Sequence, residues 1–410
     1  MQSGRLVRIL KKPIFHPILR ASTTTLKTIS CATRDRLGLA FSMIEINQAR
    51  AAQELRHVHP NRPKQPTHYY YAIDVLRFLA ALSVVGFHYA YVNQVADFQL
   101  VWPLTWFGWV GVEIFFVISG FVIANSANGS SPLQFLKGRA LRLLPAPWLC
   151  ATITFALLAP NAEILPYLRS LVLLPKGPWI SPVYWTLAVE IVFYAVIFIV
   201  LFINRFQYIN RLALLLTMGS GMYMVAAGFQ DWYISDHMNV LLLRHGCFFA
   251  TGIWLWLSTT RQLSTWEYLT ALIAIAACIT EICLRGAEFL PREMLTYHSI
   301  AAPVATWLAA VLCIAITGHA HLSIPPRMAT VVRHLGLITY PLYLVHDEIG
   351  RRAIRALTMI GIDKWLSLAL ALLMVIVLSW LVSAYWEPAV RRAFNSASER
   401  LMTRRAAPAP

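Results

Sequence analysis

Apolar segments long enough to cross a membrane recur along the chain from residue 73 onward. They run for roughly 15 to 23 residues, and a helix needs about 20 apolar residues to cross a hydrocarbon core. The pattern predicts an all-α fold, a polytopic membrane bundle of ten helices. The predicted spans are residues 73–92, 107–125, 146–160, 183–203, 212–229, 239–258, 267–284, 298–317, 335–350 and 365–385.

The first 68 residues do not share this apolar pattern. They are basic and rich in proline, histidine, serine and threonine, with no acidic residue before Asp35. This composition is typical of a disordered cytoplasmic tail, and it also resembles a transit peptide or an arm that binds anionic lipids. We therefore divide the chain into a disordered basic tail at 1–68, a membrane domain at 69–393 and a cytoplasmic tail at 394–410.

Composition supports the membrane setting. Hydrophobic residues make up 58% of the chain and charged residues 13%, with a mean hydropathy of +0.58, whereas a soluble domain has about 25% charged residues. The net charge of +16 raises the question of nucleic-acid binding, but twelve of the 35 Lys and Arg precede residue 73 and most others lie in short loops. The six cysteines form no CxxC pair, so we expect neither a disulfide framework nor a metal site.

The loop charges predict the orientation. With the amino terminus in the cytoplasm, thirteen basic residues of the loops and carboxyl tail fall inside and eight fall outside. The positive-inside rule therefore places both termini in the cytoplasm. The four basic residues of 351–364 oppose the rule and the span 146–160 is short, so one misplaced span at either position remains an alternative.

The first predicted span carries an arginine and a histidine, Arg77 and His88. Eleven helical steps bring them within about 20° on the helix face and separate them by about 16 Å along the axis. Taken singly, Arg77 would fit an arginine that reaches lipid phosphates and His88 a histidine bonded to a carbonyl. Together on one face, they favour a polar path into the bilayer.

Further ionisable groups lie inside or at the ends of later spans. Each costs about 2.5 to 3.5 kcal/mol at a helix centre on insertion scales, so they are expected to face a shared interior and to pair. For Asp347 and Glu348 the alternative is a position at the membrane interface. The set comprises Glu113, Glu190, Arg244, His245, His346, Asp347 and Glu348.

Six sequence blocks in order resemble the membrane acyltransferase 3 family, bacterial proteins that O-acylate cell-envelope sugars. After the Arg77-x10-His88 helix come FGWVGVEIFFVISGFVIA, FLKGRALRLLPAPW, PVYWTLAVEIVFY, LGLITYPLYLVH and WEPAVRR. The most specific blocks are the first span and the Trp185, Glu190, Tyr194 block. Two positions depart from the pattern: family members often have Asp at Glu113, and a paired arginine at Lys137-Gly138-Arg139. The resemblance implies a stand-alone acyltransferase domain at 69–393, in the bacterial inner membrane.

The resemblance also implies the substrates. Family members transfer an acyl group, here expected to be acetyl, from cytoplasmic acyl-coenzyme A to a hydroxyl of a polysaccharide, lipopolysaccharide or glycolipid at the other side. Acyl-CoA is then a co-substrate, with no permanently bound cofactor. Lys137, Arg139 and Arg142 are the expected contacts of its phosphates. The alternative is that these three residues only enforce topology.

Site roles follow from the same resemblance. His88 is expected to act as catalytic base or acyl carrier, because it alone nearby takes a hydroxyl proton near neutral pH. Glu190 is expected to pair with its imidazole, and Arg77 to lie closer to the donor. The substrate path is expected to include Glu113, Trp185, Tyr194 and His346.

Two other classes of protein remain open from the sequence. A transporter or flippase also buries charges, although it more often shows internal repeats and interrupted helices, which are not evident here. A lipid-binding scaffold has no need of His88. An acyltransferase is therefore the preferred interpretation.

Overall fold

The computed structural model of the chain describes residues 69–92, 97–229, 241–290, 297–320 and 324–406. The predicted tail 1–68 lies outside these ranges. The described ranges contain helices and turns and no strand, which confirms the all-α class. The last helix continues past residue 393, so the predicted boundary of the carboxyl tail falls inside a helix.

The longer helices are labelled in chain order. They are α1 Tyr71–Gly86, α2 Val110–Ala127, α3 Pro132–Leu143, α4 Pro145–Leu158, α5 Ile164–Leu171, α6 Trp185–Phe202, α7 Ile209–Phe229, α8 Gly246–Thr260, α9 Thr265–Phe289, α10 Tyr297–His319, α11 Pro326–Val345, α12 Arg351–Met359, α13 Lys364–Leu381 and α14 Glu387–Ala406. Wider π-helical turns extend α1, α11 and α13, at Phe87–Val92, His346–Gly350 and Val382–Trp386.

Nine helical segments in the described ranges are long and apolar enough to cross a membrane. The polytopic architecture is therefore as predicted. The segments are Tyr71–Val92, Gln99–Ala127, Pro132–Leu158, Pro182–Phe202, Phe206–Ala226, Thr265–Phe289, Ile300–His319, Pro326–Met359 and Lys364–Ala397.

The sixth predicted span, 239–258, is the one without a counterpart among these nine. The helix found there is α8, which has 15 residues and begins only at Gly246. Arg244 and His245 belong to the turn before α8 and not to a helix interior. Hydropathy averaged over a window does not detect this turn, because the residues around it are apolar.

The span predicted at 146–160 is short, but the apolar segment found there is longer because it includes the preceding helix, α3. Ser131 begins α3 with a capping box: its hydroxyl accepts from the Gln134 N–H, and the Gln134 side chain accepts from the Ser131 N–H. Pro145 and Pro147 then lie in the first turn of α4, where the missing N–H groups cost little. The chain therefore bends at Leu144 without ending the apolar segment.

The core is centred on α2, which is buried on most of its surface because it is apolar all round. It crosses α8 at two glycines. A Cβ on Gly120 would lie 2.2 Å from the carbonyl oxygen of Phe249, and one on Gly252 would lie 2.1 Å from that of Val117. The two backbones thus approach too closely for any larger residue, as is common between membrane helices.

Candidate active site

A cavity of about 120 Å³ lies between α1, α2, α3, α6 and α11. We call it the arginine cavity because three guanidinium groups line it, those of Arg77, Arg139 and Arg142. Glu190 and Tyr194 from α6 lie on the same wall. Arg139 and Arg142 are three residues apart on α3 and therefore share one helix face.

The three arginines are only partly neutralised by the protein. Arg77 Nη1 lies 3.4 Å from Asp74 Oδ1, and Arg142 Nη1 lies 3.8 Å from Glu387 Oε2. Two buried nitrogen atoms, Arg139 Nε and Arg142 Nη1, have no hydrogen-bond partner among the described residues. Buried donors of this kind are costly unless a partner satisfies them, and phosphate oxygens are well suited to do so.

Asp74 is held from its other side by the hydroxyl of Tyr69, which donates to Asp74 Oδ2. Burial and this hydrogen bond raise the pKa of Tyr69 above its ordinary value, so the phenol stays a neutral donor. Asp74 is thereby fixed one turn before Arg77.

Glu190 is bound to neutral donors. The hydroxyls of Ser119 and Tyr194 both donate to Glu190 Oε1. Tyr194 is four residues along α6, on the same face as Glu190, and both line the arginine cavity.

A second, smaller cavity of about 70 Å³ lies beside the first. We call it the histidine cavity. His88, Glu113 and Trp185 line it, together with Arg285 from α9, and Val112 and Tyr343 belong to the walls of both cavities. The first helix and the π-helical turn that extends it therefore take Arg77 to one cavity and His88 to the other.

His88 is paired with Asp347. Their Nδ1 and Oδ1 atoms are 3.0 Å apart, and the Asp347 side chain is 5% exposed whereas that of His88 is 21% exposed. Arg351 Nε lies 2.8 Å from the same carboxylate oxygen. A proton on Nδ1 between the imidazole and the carboxylate leaves Nε2 of His88 with a free lone pair, which is the form of a general base.

Both members of the pair lie on π-helical turns, His88 on Phe87–Val92 and Asp347 on His346–Gly350. Such turns are frequent at functional sites. Tyr89 connects the two turns, because its hydroxyl donates to the His346 carbonyl at 2.9 Å. A Cβ on Gly350 would lie 1.6 Å from that hydroxyl oxygen, so this close approach requires glycine.

His346 lies behind the pair. It is fully buried, its Nδ1–H donates to the Tyr343 carbonyl at 2.8 Å, and its ring centroid is 5.0 Å from that of His88. His346 is therefore next to the site but not part of the wall of either cavity.

The expected pairing of His88 with Glu190 is wrong, because Asp347 occupies Nδ1 of His88 and Glu190 accepts from Ser119 and Tyr194 in the other cavity. Lys137 also lies apart from the other predicted donor contacts. It is exposed on α3, its Nζ 5.9 Å from the ring centroid of Phe394.

Two residues gain importance from the structure alone. Asp347 is adjacent to His346 in the sequence, but no local sequence pattern indicates that it contacts His88, 259 residues away. Glu387, from the WEPAVRR block, is 1% exposed and lies beside both Arg142 and Arg391. The sequence signal that could have indicated it is a glutamate four and five residues before two arginines, Arg391 and Arg392, in the WEPAVRR block.

Within the described ranges, no group of three or more His, Cys, Asp or Glu side chains is placed to hold a metal ion.

Comparison with known proteins identifies the family. A family model described as an acyltransferase domain matches residues 70–384. The chain belongs to this acyltransferase family. Both cavities and the His88–Asp347 pair lie within the matched range, so they belong to the part of the chain that defines the acyltransferase domain.

A curated relative is the exopolysaccharide production protein ExoZ of Rhizobium meliloti (strain 1021), which is 34% identical to the chain over 113 residues. The match covers 24% of this chain and 36% of ExoZ, so the chain spans about a third of the length of this relative. No solved structure matches the chain.

Proposed function

We propose that this multi-pass membrane acyltransferase moves an acyl group, expected to be acetyl, from acyl-CoA to a hydroxyl of an envelope carbohydrate. The observation that carries the proposal is the pair of adjoining cavities. One presents three arginines and the other presents a histidine–aspartate pair, and Val112 and Tyr343 belong to both walls. The similarity of a segment to an exopolysaccharide production protein supports a polysaccharide as the acceptor.

The arginine cavity is proposed to take the phosphate groups of the donor. Arg139 and Arg142 bring buried guanidinium nitrogens that have no hydrogen-bond partner among the described residues, and Arg77 lines the same cavity. Guanidinium groups bind phosphate in a fork, which orients the donor as well as holding it. The thioester then points toward the shared wall, with its carbonyl carbon near the histidine cavity.

In the proposed reaction, Nε2 of His88 takes the proton of the acceptor hydroxyl while the hydroxyl oxygen attacks the thioester carbonyl carbon. A C–O ester bond forms and the C–S bond breaks, its electron pair leaving on sulfur. The CoA thiolate takes the proton from the imidazolium, so the products are the acyl ester and free CoA.

Asp347 is proposed as the positioning residue for His88. Its carboxylate holds the proton on Nδ1 and stabilises the imidazolium that forms during transfer. We also propose that the arginine side of the protein faces the cytoplasm, where acyl-CoA is available, because the loop charges favour this orientation, and that the protein lies in the bacterial inner membrane.

The test is a comparison of envelope glycans from strains with and without the protein, by mass spectrometry after mild release. We expect a loss of acyl ester in the deletion strain and its return with the wild-type gene but not with His88→Ala. Purified protein in nanodiscs should transfer label from acyl-CoA to de-O-acylated polysaccharide. Identical glycans in both strains, with no transfer in vitro, would refute the proposal and favour a transporter.

A further inference from the structure

Two residues that line the histidine cavity, one in α2 and one at its amino-terminal cap, each carry a buried polar atom with no hydrogen-bond partner among the described residues. Trp109 and Glu113 are 4% and 2% exposed and both line this cavity. Neither Trp109 Nε1 nor Glu113 Oε2 has a hydrogen-bond partner in the described part of the chain. They are four residues apart, so a helical turn brings them to the same face.

The chemistry of these two atoms restricts the ligand. An indole N–H only donates, whereas the Glu113 carboxyl accepts and, when it is protonated, also donates. A phosphate offers acceptors alone and is repelled by Glu113 when this carboxyl is ionised, while an acyl chain satisfies neither atom. A hydroxyl both donates and accepts, so a hydroxyl-bearing ligand is the simple chemical class that satisfies both atoms.

The other walls fit the same ligand class. Trp185, Phe289 and Tyr343 supply aromatic surface, and the guanidinium of Arg285 lies 4.9 Å from the Phe289 ring centroid and 6.0 Å from that of Trp185. Arg285 is in turn paired with Glu288 at 3.1 Å, so its charge is already compensated. Mostly apolar walls with a few convergent polar groups are typical of a site for a small uncharged ligand.

We propose that Trp109 and Glu113 form a subsite for a second hydroxyl of the acceptor sugar, next to the hydroxyl that His88 activates. This proposal rests on the proposed function and adds to it the choice of the hydroxyl that is acylated. The acceptor must present two neighbouring hydroxyls, one at His88 and one at the subsite, and the subsite determines which of them is acylated.

The test measures acceptor binding and turnover separately. Full-length protein in nanodiscs is titrated with fluorescently labelled oligosaccharides made from the host's own de-O-acylated envelope polysaccharide. The variants are Glu113→Gln and Trp109→Phe, each checked for monodispersity before use. Trp307→Phe is the matched control, because Trp307 is also fully buried with an Nε1 that has no partner among the described residues, but it lines neither cavity.

Glu113→Gln and Trp109→Phe are each expected to raise the Kd of the oligosaccharide about tenfold, with the KM for acyl-CoA unchanged, and Trp307→Phe to leave both values unchanged. The ester formed by either variant should also spread over more than one hydroxyl in the NMR spectrum of the product. Unchanged binding and regiochemistry in both variants, or no binding by the wild type, would overturn the subsite. Normal wild-type binding without any transfer would instead overturn the proposed function alone.

Discussion

At the residue scale, the proposed catalytic pair consists of an accessible base, His88, and a buried carboxylate, Asp347. His88 reaches the histidine cavity, whereas Asp347 lies beneath it between His88 and Arg351. A buried carboxylate is expensive unless it is paired, and Asp347 has two such partners at 3.0 and 2.8 Å. When His88 takes a proton, the new charge therefore forms beside a carboxylate that is already held in place.

The first prediction concerns this pair. His88→Ala should lower kcat by about 10² to 10⁴-fold, as expected for loss of a general base, and Asp347→Asn should lower it within the same range. The double variant should be scarcely slower than His88→Ala, because residues that act as one unit do not add.

Glu348→Gln is the matched control for Asp347→Asn. Glu348 lies on the same π-helical turn and pairs with Arg351 at 2.9 Å, but the partner of His88 is Asp347. Single-turnover rates with labelled acyl-CoA measure all four proteins. Equal losses of rate from Glu348→Gln and Asp347→Asn would show that the π-helical turn, and not the His88–Asp347 pair, determines the rate.

A second prediction concerns the donor. Replacing Arg139 and Arg142 with Gln should raise the KM for acyl-CoA at least tenfold, since each lost charge-assisted bond is worth about 1.5 to 3 kcal/mol. Lys137→Gln removes the same charge from the same helix, but Lys137 is exposed and does not line the arginine cavity. Steady-state kinetics should give it a near wild-type KM. Similar values for all variants would assign these arginines to membrane topology.

The site illustrates what the sequence can and cannot supply. The path from Arg77 to His88 could be predicted because helical geometry is local and both residues lie on one helix. The pairing of His88 with Asp347 could not, because it joins residues 259 positions apart and depends on two π-helical turns. The sequence favours Glu190 as the partner of His88 because it is a carboxylate inside a predicted span, but Asp347 lies within the predicted span 335–350 and is a carboxylate as well.

At the element scale, residues at the start of α14 hold α3, the helix that carries Arg139 and Arg142, in position. Arg391 donates to Glu387 at 2.7 Å and to the carbonyl of Leu141 on α3 at 3.1 Å. The indole of Trp386 donates to the Pro145 carbonyl at 2.6 Å. The WEPAVRR block therefore positions α3 and, through Glu387, one guanidinium of the arginine cavity.

The third prediction uses two neighbouring arginines. Arg391→Gln should raise the KM for acyl-CoA several-fold and lower the Tm of the solubilised protein, because α3 loses the hydrogen bond that Arg391 donates to Leu141. Arg392→Gln should change neither value, since Arg392 is exposed and its side chain donates to the Pro388 carbonyl within its own helix. Thermal unfolding and donor kinetics on both variants give the comparison. Equal effects at the two positions would mean that α14 does not act through Arg391.

The fourth prediction concerns the crossing of α2 and α8. Gly252→Ala should destabilise the protein by about 1 to 3 kcal/mol, because its Cβ would meet the backbone of α2. Gly221→Ala on α7 is the matched control, since no atom of the described residues would lie within 4 Å of a Cβ there. Tm values in one detergent should fall for the first variant and hold for the second. A stable Gly252→Ala protein would contradict the close approach.

At the scale of the whole molecule, α8 decides how many times the chain crosses the membrane. Its 15 residues measure about 22 Å, less than the roughly 30 Å of a hydrocarbon core. Yet the turn before it is buried, with Arg244 and His245 6% and 1% exposed, and Arg244 is neutralised by Glu281 at 2.7 Å and Glu288 at 2.9 Å. Irregular backbone is tolerated at membrane depth where protein covers it.

The last prediction follows from that burial: the turn and α8 together cross the membrane and make the tenth span. Reporters fused after residues 230 and 262 should then lie on opposite sides of the membrane, the first outside and the second inside. The inside position of Arg261 agrees with the positive-inside rule. A fusion after residue 400 should report inside. If α8 only dips into the core, nine crossings remain and all three fusions should report outside. Alkaline phosphatase and green fluorescent protein fused at each position give opposite signals, so the pattern at 230 and 262 distinguishes ten crossings from nine.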